Sequence, residues 1–195
     1  MKKIEYLALL RGINVGGKNI IKMDELKKIF EELNFTDVIT YIQTGNVIFK
    51  DSENNKTKLT KRIEDRLFEK LNSKINIALL TFPEMKELID KKPKGFGEHK
   101  DEYRYDVAFL IEPLKAKDAI KEFEQTSGVD KIYEGKNVLY ISMLLKQITQ
   151  SRISKIIGSP IYKNISIRNW NTTEKLYKLM GENQGEGNHN LHNFP

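Results

Sequence analysis

The sequence predicts an α+β protein built from two ferredoxin-like (β-α-β-β-α-β) subdomains in tandem, followed by a disordered C-terminal tail. Three observations carry that expectation. The order of apolar-patterned segments runs β-α-β-β-α-β twice; short motifs recur between the halves; and a Pro/Gly-containing stretch, Lys91–Asp101, separates them. Leu7-Ala8-Leu9-Leu10 resembles Val107-Ala108-Phe109-Leu110, and Asn46-Val47-Ile48-Phe49 resembles Asn137-Val138-Leu139-Tyr140. The offset falls from 100 to 91 residues between these pairs. The first half has twelve residues, Arg11 to Lys22, between its first strand and helix, where the second has three around Pro113. The difference of nine marks 11–22 as an insertion that the repeat does not require. Long irregular connections in small domains often serve function.

In the first half, Ile4–Leu10 reads as a strand and Asp24–Leu33 as a helix with Leu26, Ile29, Phe30 and Leu33 on one face. Val38–Gln43 and Val47–Lys50 form a hairpin through Thr44-Gly45-Asn46. Lys58–Leu71 is a helix with Leu59, Ile63, Leu67 and Leu71 in a stripe, Ile75–Thr81 a strand, and Thr81-Phe82-Pro83-Glu84 has capping-box spacing before a helix to Asp90. In the second half the strands are Tyr105–Ile111, Asp130–Tyr133, Val138–Ser142 and Ile165–Arg168. Its helices are Lys115–Glu124, Thr149–Ile157 and Asn171–Met180, with Asn171 as the last helix's cap. The expected divisions are 1–92 with the inserted loop 11–22, 102–181, and a flexible tail 182–195 that is polar and lacks an apolar face.

The 195 residues contain no cysteine, which excludes disulfides, thiolate nucleophiles and cysteine metal sites. No apolar run reaches the ~20 residues that span a bilayer, and Glu5 and Arg11 interrupt the only stretch with a hint of a leader, so the expectation is a cytoplasmic protein with no membrane association. The net charge is +6, and the segment 135–180 carries eight basic residues against Glu174 alone. Such an excess either attracts phosphate-bearing partners or is a solvated face.

The inserted loop reads Arg11-Gly12-Ile13-Asn14-Val15-Gly16-Gly17-Lys18-Asn19. Glycines permit close backbone approach of a ligand, and Arg11 and Lys18 add positive charge. The loop matches most of a Walker A pattern, but Asn19 replaces the hydroxyl residue and the helix begins too late for Lys18 to sit on its first turn, which argues against a nucleoside triphosphatase. The loop is otherwise a binding loop or a connection across the sheet edge. Tyr41 and Gln43 share a strand face beside the hairpin turn and offer a ring, a hydroxyl and an amide. Arg168-Asn169-Trp170 precedes the last helix, and Trp170 is either an anchor between the halves or a stacking platform. Asp106, inside an apolar strand, reads as structural in preference to catalytic. His99 lies in the linker, and His189 and His192 lie in the tail without further ligands, so no metal site and no cofactor are expected.

Residues 8–19, Met23-Asp24-Glu25-Leu26, Tyr41-Ile42-Gln43-Thr44-Gly45-Asn46-Val47 and Arg168-Asn169-Trp170-Asn171-Thr172 together resemble the bacterial family known as domain of unknown function 1697. The resemblance implies two ferredoxin-like subdomains, no assigned activity, and signature positions at Arg11, Gly12, Asn14, Gly16, Gly17, Gln43, Gly45, Asn46, Arg168, Asn169 and Trp170. The tail after Gly181 lies outside it. From the residues alone, the functional expectation is a binding protein for a phosphate-bearing ligand, a nucleotide or nucleic acid. Its ligand-binding residues would be Arg11, Asn14, Gly16, Gly17, Lys18, Tyr41, Gln43, Arg168, Asn169 and Trp170. The alternatives are an enzyme acting on a small anionic substrate in a cleft between the subdomains, and an interaction subunit or homo-oligomer. Both faces of the first strand are apolar, and this argues against RNA binding on an open sheet.

Overall fold

Alternation along the strands decides the architecture. In β1 (Ile4–Leu10), Tyr6, Ala8 and Leu10 point to one side, Leu7 and Leu9 to the other, and all five are buried. Each side therefore needs its own cover. The computed structural model describes residues 3–183. It contains two four-stranded antiparallel sheets joined into one layered body.

The first sheet has the order β2-β3-β1-β4, with β2 (Thr36–Tyr41), β3 (Asn46–Asp51) and β4 (Ile77–Thr81). Helices α1 (Met23–Glu32) and α2 (Lys56–Leu71) cover one face, where Leu26, Ile29 and Phe30 meet Leu59, Ile63 and Leu67 over Tyr6, Ala8 and Leu10. The second sheet has the order β6-β7-β5-β8, with β5 (Tyr103–Leu110), β6 (Asp130–Glu134), β7 (Val138–Leu144) and β8 (Ile165–Asn169). Its outer face is covered by α4 (Ala116–Glu122) and the turns that follow β7. Adding four to each strand number of the first order gives the second.

The two remaining faces bury each other. Leu7, Leu9, Ile48 and Ala78 form one cluster with Val107, Phe109, Val138 and Tyr140. Helix α3 (Phe82–Asp90) and helix α5 (Trp170–Asn183) join this layer through Met85, Leu88, Trp170, Leu176 and Met180. Phe82 and Tyr177 stack between them with ring centroids 5.5 Å apart.

Three local expectations are corrected. The helix expected over 149–157 is instead a run of 3-10 turns, Leu145–Gln150, Ile153–Gly158 and Pro160–Asn164. Its Ile, Ser and Thr content disfavours the α-helix, Gly158 and Pro160 interrupt it, and buried Ile153 and Ile156 have the three-residue spacing that a 3-10 turn superimposes. Asn171 does not cap the last helix: α5 starts one residue earlier, and the Asn169 side chain accepts from the Asn171 N–H at 3.0 Å. The stretch 91–101 is a packed segment, not a free linker, because Phe96 is buried edge-on against Tyr105, Tyr140 and Trp170. The Thr81–Glu84 capping box forms as expected, with the Thr81 N–H donating to Glu84 at 2.7 Å. Helix α5 continues to Asn183, two residues into the segment read as tail; 184–195, with His189 and His192, lie outside the described residues.

Candidate functional site

Where β1 ends, the Leu10 N–H donates to the Gly45 carbonyl (2.8 Å) and the Arg11 N–H to the Asn76 carbonyl (3.0 Å). The chain then leaves the sheet as a folded loop. Ile13 is fully buried and pins its base. Asn14 brackets the return: its Oδ1 accepts from the Ile21 N–H (2.8 Å), and its Nδ2 donates to the carbonyls of Ile21 (2.9 Å) and Gln43 (3.0 Å). Asn19 Nδ2 closes the ring onto the Gly12 carbonyl at 3.0 Å. Both asparagines hold positive φ, which their short amide side chains tolerate. At the tip the Lys18 N–H donates to the Val15 carbonyl at 3.1 Å, and Gly16 (φ +59°) and Gly17 (φ +73°) fill a turn of type I′ character. The tip stands in solvent, with Val15, Lys18 and Ile20 exposed.

The neighbouring turn, 41–46, packs on this loop. Asn46 Nδ2 donates to the Tyr41 carbonyl and to Thr44 Oγ1, both at 3.0 Å. Ile42 has φ +46°, which a β-branched residue adopts only under local strain, and its side chain is exposed. A Cβ on Gly45 (φ +71°) would lie 2.9 Å from Leu10 Cβ and 3.0 Å from Ile13 Cβ. Gly45→Ala is therefore expected to cost about 2 kcal/mol, combining left-handed strain with overpacking, measured by urea denaturation.

Two arginines tie loop and turn to the second half. Arg168 is half-buried and donates through all five of its N–H groups: Nε to Asn46 Oδ1 (2.6 Å), one terminal nitrogen to Ser166 Oγ and the Ile167 carbonyl, the other to the carbonyls of Leu10 (2.9 Å) and Thr44 (3.0 Å). Burial pulls its pKa down to about 10. Arg11 Nε donates to the carbonyls of Tyr162 (2.9 Å) and Ile165 (3.1 Å), and its guanidinium lies 4.2 Å from the Tyr162 ring centre. Asn76 Nδ2 donates to the Lys163 carbonyl at 2.8 Å.

The segments 11–22, 41–46 and 160–169 thus form one face, and none contains an acidic residue. Among the described residues, no carboxylate lies within 4.0 Å of Arg11, Lys18, Lys22, Lys163 or Arg168. Elsewhere the basic segment 135–180 is partly neutralised, with Lys136 on Glu87 and with Arg152 and Lys155 on Glu124.

Of the residues singled out from sequence, Gly16, Gly17, Lys18 and Gln43 present themselves to solvent on this face. Asn14 and Arg168 lie on the same face but spend their polar groups on internal acceptors, and Arg11 does so with its Nε. Tyr41 is half-buried against the cluster between the sheets. Asn169 donates to the Tyr105 carbonyl (3.1 Å) and to Asp106 (3.3 Å), and Trp170 is 2% exposed, so both sit in the packed layer. Asp106 is ion-paired with Arg104 at 2.9 Å, and burial raises its pKa against the opposing pull of that arginine. Tyr162, Lys163 and Asn76 had no motif to reveal them; folding alone brings them to the loop.

A separate cleft of about 1000 Å³ opens between the two halves, with Ile77, Leu79, Phe109, Ile111 and Val138 among its apolar lining. Arg11, Lys18 and Arg168 do not line it. Among the described residues there is no group of three or more His, Cys, Asp or Glu placed to hold a metal ion, and no helix is long and apolar enough to cross a membrane.

No curated protein matches the chain. Among solved structures, it is similar to the conserved bacterial protein SP0830 from Streptococcus pneumoniae, with a TM-score of 0.77 and 24% identity over 92% of this chain and 99% of that one. That likeness shows a shared fold. The family described as protein of unknown function DUF1697 matches residues 3–140, which takes in the inserted loop, the 41–46 turn and the packed segment between the halves. The chain belongs to that DUF1697 family.

Proposed function

We propose that this protein binds a phosphate-bearing ligand, a nucleotide or nucleic acid, on the face formed by 11–22, 41–46 and 160–169. The observation that carries the reading is the set of five cations, Arg11, Lys18, Lys22, Lys163 and Arg168, none with a carboxylate within 4.0 Å among the described residues, beside the open Gly16-Gly17 backbone. The Arg168 guanidinium has no free N–H to give, so it acts as a fixed positive charge beneath the turn, and Arg11 holds the loop to the second half. Lys18, the N–H groups of Gly16 and Gly17, and the Gln43 amide make the contacts. The recognition surface belongs to loops because the inner faces of both sheets are closed on each other, with α3 and α5 in the same layer. We also read each half as a ferredoxin-like unit, supported by the shared strand order, and the protein as cytoplasmic.

The test compares ATP with a single-stranded 12-nucleotide RNA by thermal shift and fluorescence anisotropy at several salt concentrations. Nucleic-acid binding is expected to weaken steeply with salt because phosphate contacts release condensed counterions. Lys18→Ala is expected to weaken binding about tenfold while changing stability by less than about 0.5 kcal/mol. Gly16→Asn is a companion variant: asparagine tolerates left-handed φ, and a Cβ there meets nothing within 4 Å, so the turn persists while the backbone is screened from a ligand. Binding by neither probe, or unchanged binding in Lys18→Ala, overturns the reading.

A further inference from the structure

We propose that the cleft between the two halves is a second site, for an organic ammonium ion with an aliphatic body. Its walls come from both halves: α2, β4 and α3 on one side, the end of β5 and the β6–β7 hairpin on the other. The apolar lining suits a hydrocarbon chain, and Phe68, 52% exposed on the α2 wall, offers an aromatic face to a cation.

The charges around the cleft decide the sign of the ligand. Four of its five lysines already face carboxylates: Lys56 pairs with Glu84 at 2.7 Å, Lys61 with Asp65 at 2.9 Å, and Lys91 and Lys136 share Glu87 at 2.6 and 2.9 Å. An anion would have to displace these pairs. In contrast, Glu64, Glu112 and Glu134 line the cleft with no cation within 4.0 Å among the described residues. They come from α2, the end of β5 and the end of β6, so one ammonium group can meet carboxylates of both halves. Lys74 is the opposing charge on this rim and acts on Glu64. Glu64 is half-buried, and loss of solvation raises its pKa above the usual carboxylate value against the opposing pull of the Ile77 backbone N–H, a cost that a cationic neighbour relieves.

Strand geometry adds a further polar pair. The Arg11 N–H to Asn76 carbonyl bond fixes which β4 residues bond to β1, so Ala78 and Leu80 turn inward and Ile77, Leu79 and Thr81 point their backbone groups outward. The outward N–H of Thr81 is taken by Glu84, and that of Ile77 acts on the Glu64 carboxylate. The outward groups of Leu79 are left for a ligand.

The experiment titrates n-hexylammonium, hexanoate and 1-hexanol into the ¹⁵N-labelled protein and follows amide shifts. Hexylammonium is expected to give saturable shifts at Ala78, Leu79, Gly135 and Val138 and to bind about tenfold more tightly than hexanol, whereas hexanoate leaves these amides unmoved. Glu134→Gln, an exposed change that spares folding, is expected to weaken hexylammonium binding about threefold, and Glu64→Gln more strongly. Lys18→Ala should leave it unchanged, separating this site from the loop face. Equal binding of hexanoate or hexanol, shifts confined to other surfaces, no saturable shift, or undiminished binding in both glutamine variants overturns the proposal.

Discussion

Arg168→Ala is expected to cost about 4 kcal/mol of stability and to lower the melting temperature by roughly 10 °C. The loss does not come from an abandoned counter-charge, since no carboxylate pairs with this guanidinium among the described residues. It comes from five acceptors, contributed by Leu10, Thr44, Asn46, Ser166 and Ile167, that lose their donor, four of them in partly buried positions and Thr44 at the solvent edge. An unsatisfied buried acceptor costs about 1–3 kcal/mol, and partial entry of water keeps the total below the simple sum. Arg168→Lys should recover only part of the loss, because an ammonium has three donors and cannot reproduce the planar fork. Denaturant unfolding and a thermal melt check both. A variant that melts within about 2 °C of the parent yet no longer binds would make Arg168 a ligand contact instead of a clasp.

Gly97→Ala is expected to destabilise by about 3 kcal/mol, although it adds a single methyl group. That methyl would sit 2.3 Å from Trp170 Nε1 and 2.7 Å from Cδ1, and the residue holds φ +85°. Left-handed strain in an alanine costs about 1–2 kcal/mol, and overpacking adds about 1–3. The indole cannot swing away, since Phe96 meets it edge-on at 5.2 Å within the layer between the sheets. A double-mutant cycle with Trp170→Phe isolates the clash: the smaller ring should reduce the cost of Gly97→Ala, leaving mainly the backbone strain. Additive effects would show that the clash is not what destabilises the variant.

The succession of strands along the chain and the helix-covered face of the first sheet were legible in the sequence because period-two and helical apolar patterns are local signals, as in Tyr6/Ala8/Leu10 and Leu59/Ile63/Leu67. Twofold burial of β1 was legible too, and it pointed correctly away from an open sheet. The identity of the cover over Leu7 and Leu9 was not, because a pattern marks an apolar side without naming its partner. The 149–157 segment failed for a related reason: Ile153 and Ile156 fit either helical period, and the choice fell to Gly158, Pro160 and the weak α-forming residues around them. At the candidate face, the loop's composition showed positive-φ turns and charge. Which groups face outward depended on hydrogen bonds to Gln43, Tyr162 and Ile165, distant in sequence. Arg11 and Arg168 read as ligand-binding cations in the chain, and folding alone sets the acceptors of Tyr162, Ile165, Leu10, Thr44 and Asn46 around them.

The mutual closure of the two sheets divides the labour of this molecule. Cohesion resides in the sheet faces closed on each other, so the surfaces left open to another molecule lie at rims: strand-end loops on one side, the slot between the halves on another. Substitutions at those rims, at Lys18, Gln43 or Glu134, leave the shared interior untouched. Such a scaffold can change its margins without renegotiating how it folds.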